Sequence, residues 1–426
     1  MSRGLGDVYK RQILIMTLLE TIQIIIGFIG LTAIAIPLSN SKSNINYKSI
    51  FIAILFQIAL AFALIKIPFI VNIFSYFSTG VEKLQEATNA GTQFVFGYLS
   101  MGEGEELIFA FKILPLIIVI SCLTALFWFW KILPIVIRAI SKVFEKLFNI
   151  GGPIGLGATA NIIMGQVEAP LLVRPYLSKM TSKELLILMT AGMSTVSGSI
   201  MIALVTMLQI QFGDINLIQH LITASVLSIP AAIMYANIMI PSNEITDFSE
   251  GEVPRIYESS MDAITRGTRD GVDIAVNVGA ILVVFIALVY LVDSVLGLLP
   301  SIAGREVSLQ MILGFIFYPI VWLMGVPLDE VMTSAELLGI KTALNEFVAY
   351  AQLSGLEEGA LSDRSKLITL YALCGFANFS SVGILVSGIG AMAPERKADL
   401  IKVSLKALIG ATLASCMTGL VIGIFS

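Results

Sequence analysis

The feature that most restricts this chain is the recurrence of apolar stretches long enough to cross a bilayer. One reads "ILPLIIVISCLTALFWFW", residues 113–130, and similar runs return along the whole length. A helix of 18 or more apolar residues covers the roughly 30 Å hydrocarbon core and satisfies its own backbone there. Open sheets cannot, and the short alternating strands of a membrane barrel are missing. Charged residues make up 13% of the 426, where a soluble domain has roughly 25%. Mean hydropathy is +0.90. The expected fold class is therefore an all-α polytopic membrane protein.

Composition also narrows the function. Cys122, Cys374 and Cys416 all lie in apolar segments without CxxC spacing, which points to neither a disulfide framework nor a zinc site. His220 is the single histidine, so a multi-histidine metal site is excluded. No GxxxxGK[ST] loop is present, so uphill movement would draw on an ion gradient rather than on ATP. No basic, aromatic-interleaved stretch suggests nucleic acid, and a net charge of −4 says little about partners. The opening "MSRGLGDVYKRQ", residues 1–12, is polar and ends abruptly at Ile13. It resembles translated sequencing-adapter sequence and is expected to be non-native.

Apolar runs predict spans at about 13–38, 49–72, 107–130, 184–208, 216–240, 271–299, 366–391 and 400–425. Residues 74–98 carry their charges on one side, as an amphipathic interfacial helix does, with a surface loop as the alternative. Residues 150–178 and 328–355 are apolar but interrupted, and each suits a re-entrant hairpin of two half-helices. The 307–326 stretch contains Pro319. Lys and Arg counts support eight spans with both termini outside and one hairpin entering from each side. On that count 307–326 should not cross fully.

An internal repeat is visible in the spacing. Ser182-Lys183 precede Gly192 and Ser197, and Ser365-Lys366 precede Gly375 and Ser380, at identical intervals. Each copy follows an interrupted hairpin with an acid near its tip, Glu168 or Glu346, and each is followed by one more span. Two such copies entering from opposite sides form an inverted repeat, a mark of secondary transporters whose sites lie between broken helices.

A carboxylate at mid-membrane costs roughly 2.5–3.5 kcal/mol, so Glu168 and Glu346 should face a cavity or a partner. Neither has an adjacent Lys or Arg in sequence. Their polar neighbours are neutral: Asn161, Gln166, Thr195, Asn345, Asn378, Ser380 and Ser381. Such a set suits a neutral, multiply hydroxylated ligand, because carboxylates accept paired hydrogen bonds and amides read a donor–acceptor edge. Hydroxyl and carbonyl oxygens at helix breaks suit Na+. The alternative is that these groups only join helices, as Ser, Thr and Asn often do. His220 could relay protons or make a single hydrogen bond at the interface. Phe376 could stack on a ligand ring or pack in the core.

Three motifs in order, "ANIIMGQVEAPLLVRPYL", "ELLGIKTALNEFVAY" and "CGFANFSSVGI", resemble those of the concentrative nucleoside transporters. The similarity extends over essentially the whole chain from Ile13. It implies eight transmembrane helices, two re-entrant hairpins and an interfacial helix in each protomer of a homotrimer. It divides the chain into a scaffold part at 13–148, a first transport repeat at 149–240, a scaffold helix with the trimer contact at 241–300, and a second transport repeat at 301–426. It implies elevator-type import of nucleosides, of the uridine or adenosine class, by Na+ symport across a bacterial cytoplasmic membrane, and no enzymatic activity. Gln166 and Glu168 would read the nucleobase, while Glu346, Asn378 and Ser381 would bind the ribose and Phe376 would line the pocket. Na+ would take side-chain oxygens from Asn161 and Thr195 and carbonyls from Met164 and Val196. The family has Thr or Ser where this chain has Val167, so base preference should differ here. Proton coupling is the nearest rival, and a channel or receptor on the same scaffold is the next.

Overall fold

The computed structural model describes residues 2–100, 109–213, 215–242, 244, 246, 256–302 and 304–426. Helix α1 spans Ser2–Ala35, α2 Tyr47–Lys66 and α3 Pro68–Phe96. The expected second span is cut short at Lys66. Pro68 pushes the residue before it out of the helical region, and Ile67 has φ −79° and ψ 116°. The 74–98 region is helical rather than a surface loop. Its Thr88 and Thr92 are buried one turn apart, while Lys83 and Glu86 pair at 2.7 Å in the open. Ser78 donates to Asn216 at 2.9 Å and Gln85 to Thr206 at 2.8 Å, which dock the inner face of α3.

Next come α4 (Phe109–Lys112), α5 (Leu114–Phe129) and α6 (Ile132–Phe148). Residues 107 and 108 of the expected third span lie outside the described residues. Lys131 takes a left-handed φ of 62°, which turns the chain between α5 and α6. The first hairpin holds α7 (Gly152–Ala160) and α8 (Glu168–Leu172). A capping box between Thr181 and Glu184 starts α9 (Ser182–Ser194). The expected span 184–208 is not one helix, because it breaks at Thr195–Ser197 before α10 (Gly198–Phe212). Helix α11 (Leu217–Met239) then runs unbroken through Pro230.

Most of the polar segment at 241–260 lies outside the described residues. Helix α12 (Ser260–Leu296) begins well ahead of the expected residue 271, because the Ser259 side chain accepts from the Asp262 amide at 3.1 Å and caps it. Helix α13 (Leu309–Leu323) has 15 residues. At about 1.5 Å per residue it falls short of the roughly 30 Å core, in line with a stretch that does not cross fully. The second hairpin holds α14 (Val331–Ala343) and α15 (Glu346–Ser354). The expected span 366–391 is split into α16 (Asp363–Leu373) and α17 (Phe379–Met392), and α18 (Lys397–Ile422) ends the fold.

Among the described residues, seven helical stretches are long and apolar enough to cross a membrane, with Ser182–Gln209 taken as one; the eighth expected span is the split one. Burial sorts these stretches. It is 94% for Ser182–Gln209 and 83% for α11, but 11% for α12. The polar motifs therefore sit in the buried part, and the long apolar rods enclose it. Helix α12 lies close on α5, since a Cβ at Gly271 would stand 2.7 Å from the Ile118 Cα. Small residues at this spacing let helix backbones approach. The two repeats share one element order: hairpin, broken helix, long helix. They also interlock, with α9 on α18 and α11 on α16.

Candidate functional site

In the first repeat the chain reverses between α7 and α8. Asn161 closes α7 and is buried; its Nδ2 donates to the Gly157 carbonyl at 2.9 Å. Its Oδ1 is buried without a hydrogen-bond partner. That oxygen lies against the last turn of α9, where a Cβ at Gly192 would be 3.4 Å from it. At the break after α9, Thr195 Oγ1 donates to the Ala191 carbonyl at 3.0 Å. The Gly198 amide donates to the Ile163 carbonyl at 2.8 Å, which ties the hairpin tip to the break. Met164 and Val196 are buried on either side of that tie. Glu168 opens α8 and accepts from the Gly165 amide at 3.0 Å.

The second repeat is built alike. Glu346 opens α15 and is 4% exposed, just after Asn345, whose side chain caps the helix at 2.9 Å. Asn378 Nδ2 donates to Glu346 Oε2 at 3.1 Å. Asn378 Oδ1 accepts from the Ser381 amide at 2.8 Å and from Ser380 Oγ at 2.7 Å, which starts α17. Phe376 is partly buried in the break between α16 and α17, and its carbonyl accepts from the Asn378 amide at 2.8 Å. Gly375 has φ +141°, and a Cβ there would stand 2.9 Å from the Ser194 carbonyl carbon. The two helix breaks therefore touch, and only glycine fits the contact.

One side chain joins the halves. Gln166 Nε2 donates to Ser381 Oγ at 3.2 Å, while Gln166 Oε1 is buried without a partner. The result is a polar line from Gln166 through Ser381 and Asn378 to Glu346. Of the expected substrate residues, these four come together. Val167 leans on α17, where a Cβ at Gly388 would meet its Cγ1 at 2.9 Å. Glu168 points to a separate cavity of about 100 Å³, shared with Ser121, Thr124, Tyr257, Arg266 and Asp270. The Arg266 guanidinium lies 5.2 Å from the centre of the Tyr257 ring. Burial pushes the Tyr257 phenol up to about 12.

Glu346 is not without a cation, contrary to the reading of its immediate sequence. Lys341, five residues earlier, is 0% exposed and attracts it electrostatically. The lysine inside "LGIKTALNEF" was the available signal. Arg266 and Asp270 were not foreseeable as neighbours of Glu168, being about 100 residues distant in sequence. His220 makes one hydrogen bond, Nδ1 to the Tyr371 hydroxyl at 3.0 Å, between α11 and α16.

The unpaired oxygens decide what the arrangement can hold. Gln166 Oε1 suits an N–H donor, and the Glu346 carboxylate, already hydrogen-bonded to Asn378, can accept a hydroxyl as well. Asn161 Oδ1, beside carbonyls of a helix end, suits a hard monovalent cation. Among the described residues no three His, Cys, Asp or Glu side chains gather, so such an ion would rest on neutral oxygens.

Comparison with known proteins follows the same lines. Residues 220–423 match the family model described as Na+ dependent nucleoside transporter C-terminus, and residues 26–99 match its N-terminus. Residues 110–211 match a model described as nucleoside recognition. The chain is 36% identical over 412 residues to the uncharacterized transporter YutK of Bacillus subtilis, covering 94% of this chain and 98% of that one. It is 32% identical to the nucleoside permease NupC of Helicobacter pylori, covering 94% and 97%. Its fold is similar to the structure of CNTnw in an inward-facing substrate-bound state, with TM-score 0.87, 32% identity and coverage of 95% and 99%. An outward-facing CNTnw variant matches with TM-score 0.88, 32% identity and coverage of 96% and 98%.

Proposed function

Because the chain belongs to the concentrative nucleoside transporter family, a family of multi-pass membrane transporters, we propose that it imports nucleosides by symport with Na+. The observation that carries this reading is the buried line Gln166–Ser381–Asn378–Glu346, which joins the two repeats and leaves Gln166 Oε1 unsatisfied. A buried polar atom without a partner costs about 1–3 kcal/mol, which a ligand N–H recovers on binding.

In this reading Gln166 faces the nucleobase on the first repeat, and Glu168 turns to it from the neighbouring cavity it lines. Glu346 and Asn378, with Ser381, hold the ribose hydroxyls. Asn378 donates to the Glu346 carboxylate at 3.1 Å, so that group is oriented before the ligand arrives. Phe376 lines the pocket between them. Asn161 and Thr195, with the carbonyls of Met164 and Val196, hold Na+, whose charge offsets the converging carbonyl ends of α7 and α9. The hairpins and broken helices travel as one body along α5 and α12, an elevator motion. The exposed apolar side of α12, with Val283, Ile286 and Tyr290, supports its place at the centre of a homotrimer. The bacterial relatives support a cytoplasmic-membrane location.

Uptake of labelled uridine and adenosine into proteoliposomes tests this. Accumulation should follow an inward Na+ gradient and vanish when choline replaces Na+. Uptake untouched by choline but collapsed by a protonophore would assign the coupling to protons. Absence of uptake under either gradient would overturn nucleoside import.

A further inference from the structure

The two repeats solve one electrostatic problem in different ways. In each, the C-terminal end of a hairpin helix converges with the C-terminal end of a broken helix. Each helix end carries roughly half a negative charge on unpaired carbonyls. In the first repeat neither α7 nor α9 has a basic residue in its last turn. Asn161 Oδ1 adds another buried acceptor without a partner. That end is built to receive a cation.

In the second repeat the place is already filled. Lys341 lies in the last turn of α14 and is fully buried. Its Nζ donates to the Ala372 carbonyl, in the last turn of α16, at 3.3 Å. Two further acceptors there are met by fixed donors. The Tyr350 hydroxyl donates to the Leu370 carbonyl at 2.8 Å, and Ser415 to the Cys374 carbonyl at 3.4 Å. The same ammonium attracts Glu346, which bears the additional negative charge on this side. A buried charge of this kind persists only where it is paired and hydrogen-bonded.

We propose that the Lys341 ammonium is a tethered cation that does for the second repeat what the exchangeable coupling ion does for the first. The ribose-side carboxylate is then held ready at all times, and one Na+ moves with each nucleoside. The proposal rests on the Na+-symport reading for its ion count, but not for the role of Lys341 in holding the ligand.

Two measurements on the full chain test it. Paired ²²Na+ and labelled uridine fluxes in proteoliposomes should give a ratio of one, with a Hill slope of one for Na+; a ratio of two overturns the proposal. Calorimetric uridine binding at saturating Na+ is then compared for wild type, Lys341→Met and Lys341→Arg. Lys341→Met should bind at least about 30-fold more weakly, the size of a lost charge-assisted hydrogen bond. Lys341→Arg, which keeps the charge, should recover most of that loss. Lys341→Met within threefold of wild type overturns the proposal, as does an equal loss in both variants when both remain monodisperse. If Lys341→Met does not fold, the flux ratio and Lys341→Arg still decide. Wild-type uptake indifferent to Na+ would remove the symport reading, while the binding comparison would still judge Lys341.

Discussion

The two hairpin repeats share spacing and element order but differ in what their acceptors touch. In the second, Glu346, Asn378, Ser380 and Ser381 form a hydrogen-bonded set, and the buried Lys341 bonds the Ala372 carbonyl nearby. In the first, Asn161 Oδ1 and Gln166 Oε1 are left without partners, and Glu168 faces a cavity. One side is pre-organised and the other is open. On the proposed reading, the pre-organised half would hold the sugar and the open half the base and the ion. Pre-organised groups lose less freedom on binding, so the closed half should carry more of the affinity.

Substitution can break that comparison. The largest effect is expected from Glu346→Gln, which removes the buried carboxylate that accepts from Asn378 at 3.1 Å. A hydrogen bond to a charged group is worth about 1.5–3 kcal/mol, so uptake of every nucleoside should fall by roughly 10- to 100-fold. Glu168→Gln should cost less and act unevenly among bases. Equal, base-independent losses in both variants would erase the division between the halves.

A second contrast uses the glycines at equivalent repeat positions, Gly375 in its break and Gly192 in the last turn of α9. Gly375→Ala places a Cβ 2.9 Å from the Ser194 backbone at φ +141° and should destabilise by about 1–3 kcal/mol, read as a lower thermal midpoint with lost uptake. Gly192→Ala meets only the Gln166 Cβ at 3.3 Å and the Asn161 Oδ1 at 3.4 Å. It should fold normally and raise the Na+ requirement. Matching thermal midpoints in the two variants would show that the breaks are not in contact as described.

Asn161→Ala sharpens the open side. Loss of one acceptor to a cation, about 1.5 kcal/mol, should raise half-saturating Na+ roughly tenfold while the ranking of nucleosides stays fixed. A changed ranking with unchanged Na+ dependence would move Asn161 from the ion to the base. The smallest effect is expected from Val167→Thr. A hydroxyl worth about 0.5–1.5 kcal/mol should shift purine against pyrimidine competition by a few-fold. Because Val167 rests on Gly388 of α17, the new hydroxyl would act at the seam between the repeats. An unchanged ranking would dismiss Val167 as the residue that sets base preference.

Much of this was legible in the chain itself. The apolar runs announced their helices because lipid leaves few other choices. The re-entrant hairpins were visible through glycine, proline and a lone acid in apolar surroundings. Boundaries were less legible. Residues 184–208 and 366–391 read as continuous spans, yet both break, at "STVSG" and "CGFAN", where the Gly198 amide bonds the Ile163 carbonyl of the first hairpin and Asn378 bonds Glu346 of the second. The start of α12 was missed because its first turns are polar, and only the Ser259 cap marks it.

The sequence by itself determined the class of fold, the paired hairpins and the residues with polar business in an apolar interior. Periodicity and solvation are local properties, and they can be read locally. Tertiary structure alone decided that Gln166 meets Ser381, that Gly375 fills the gap at Ser194, that Glu168 shares a cavity with Arg266 and Asp270, and that Lys341 bonds the Ala372 carbonyl of α16. Those pairings join residues up to 215 positions apart. They follow from how interlocked helices share buried space, which no spacing along one chain encodes.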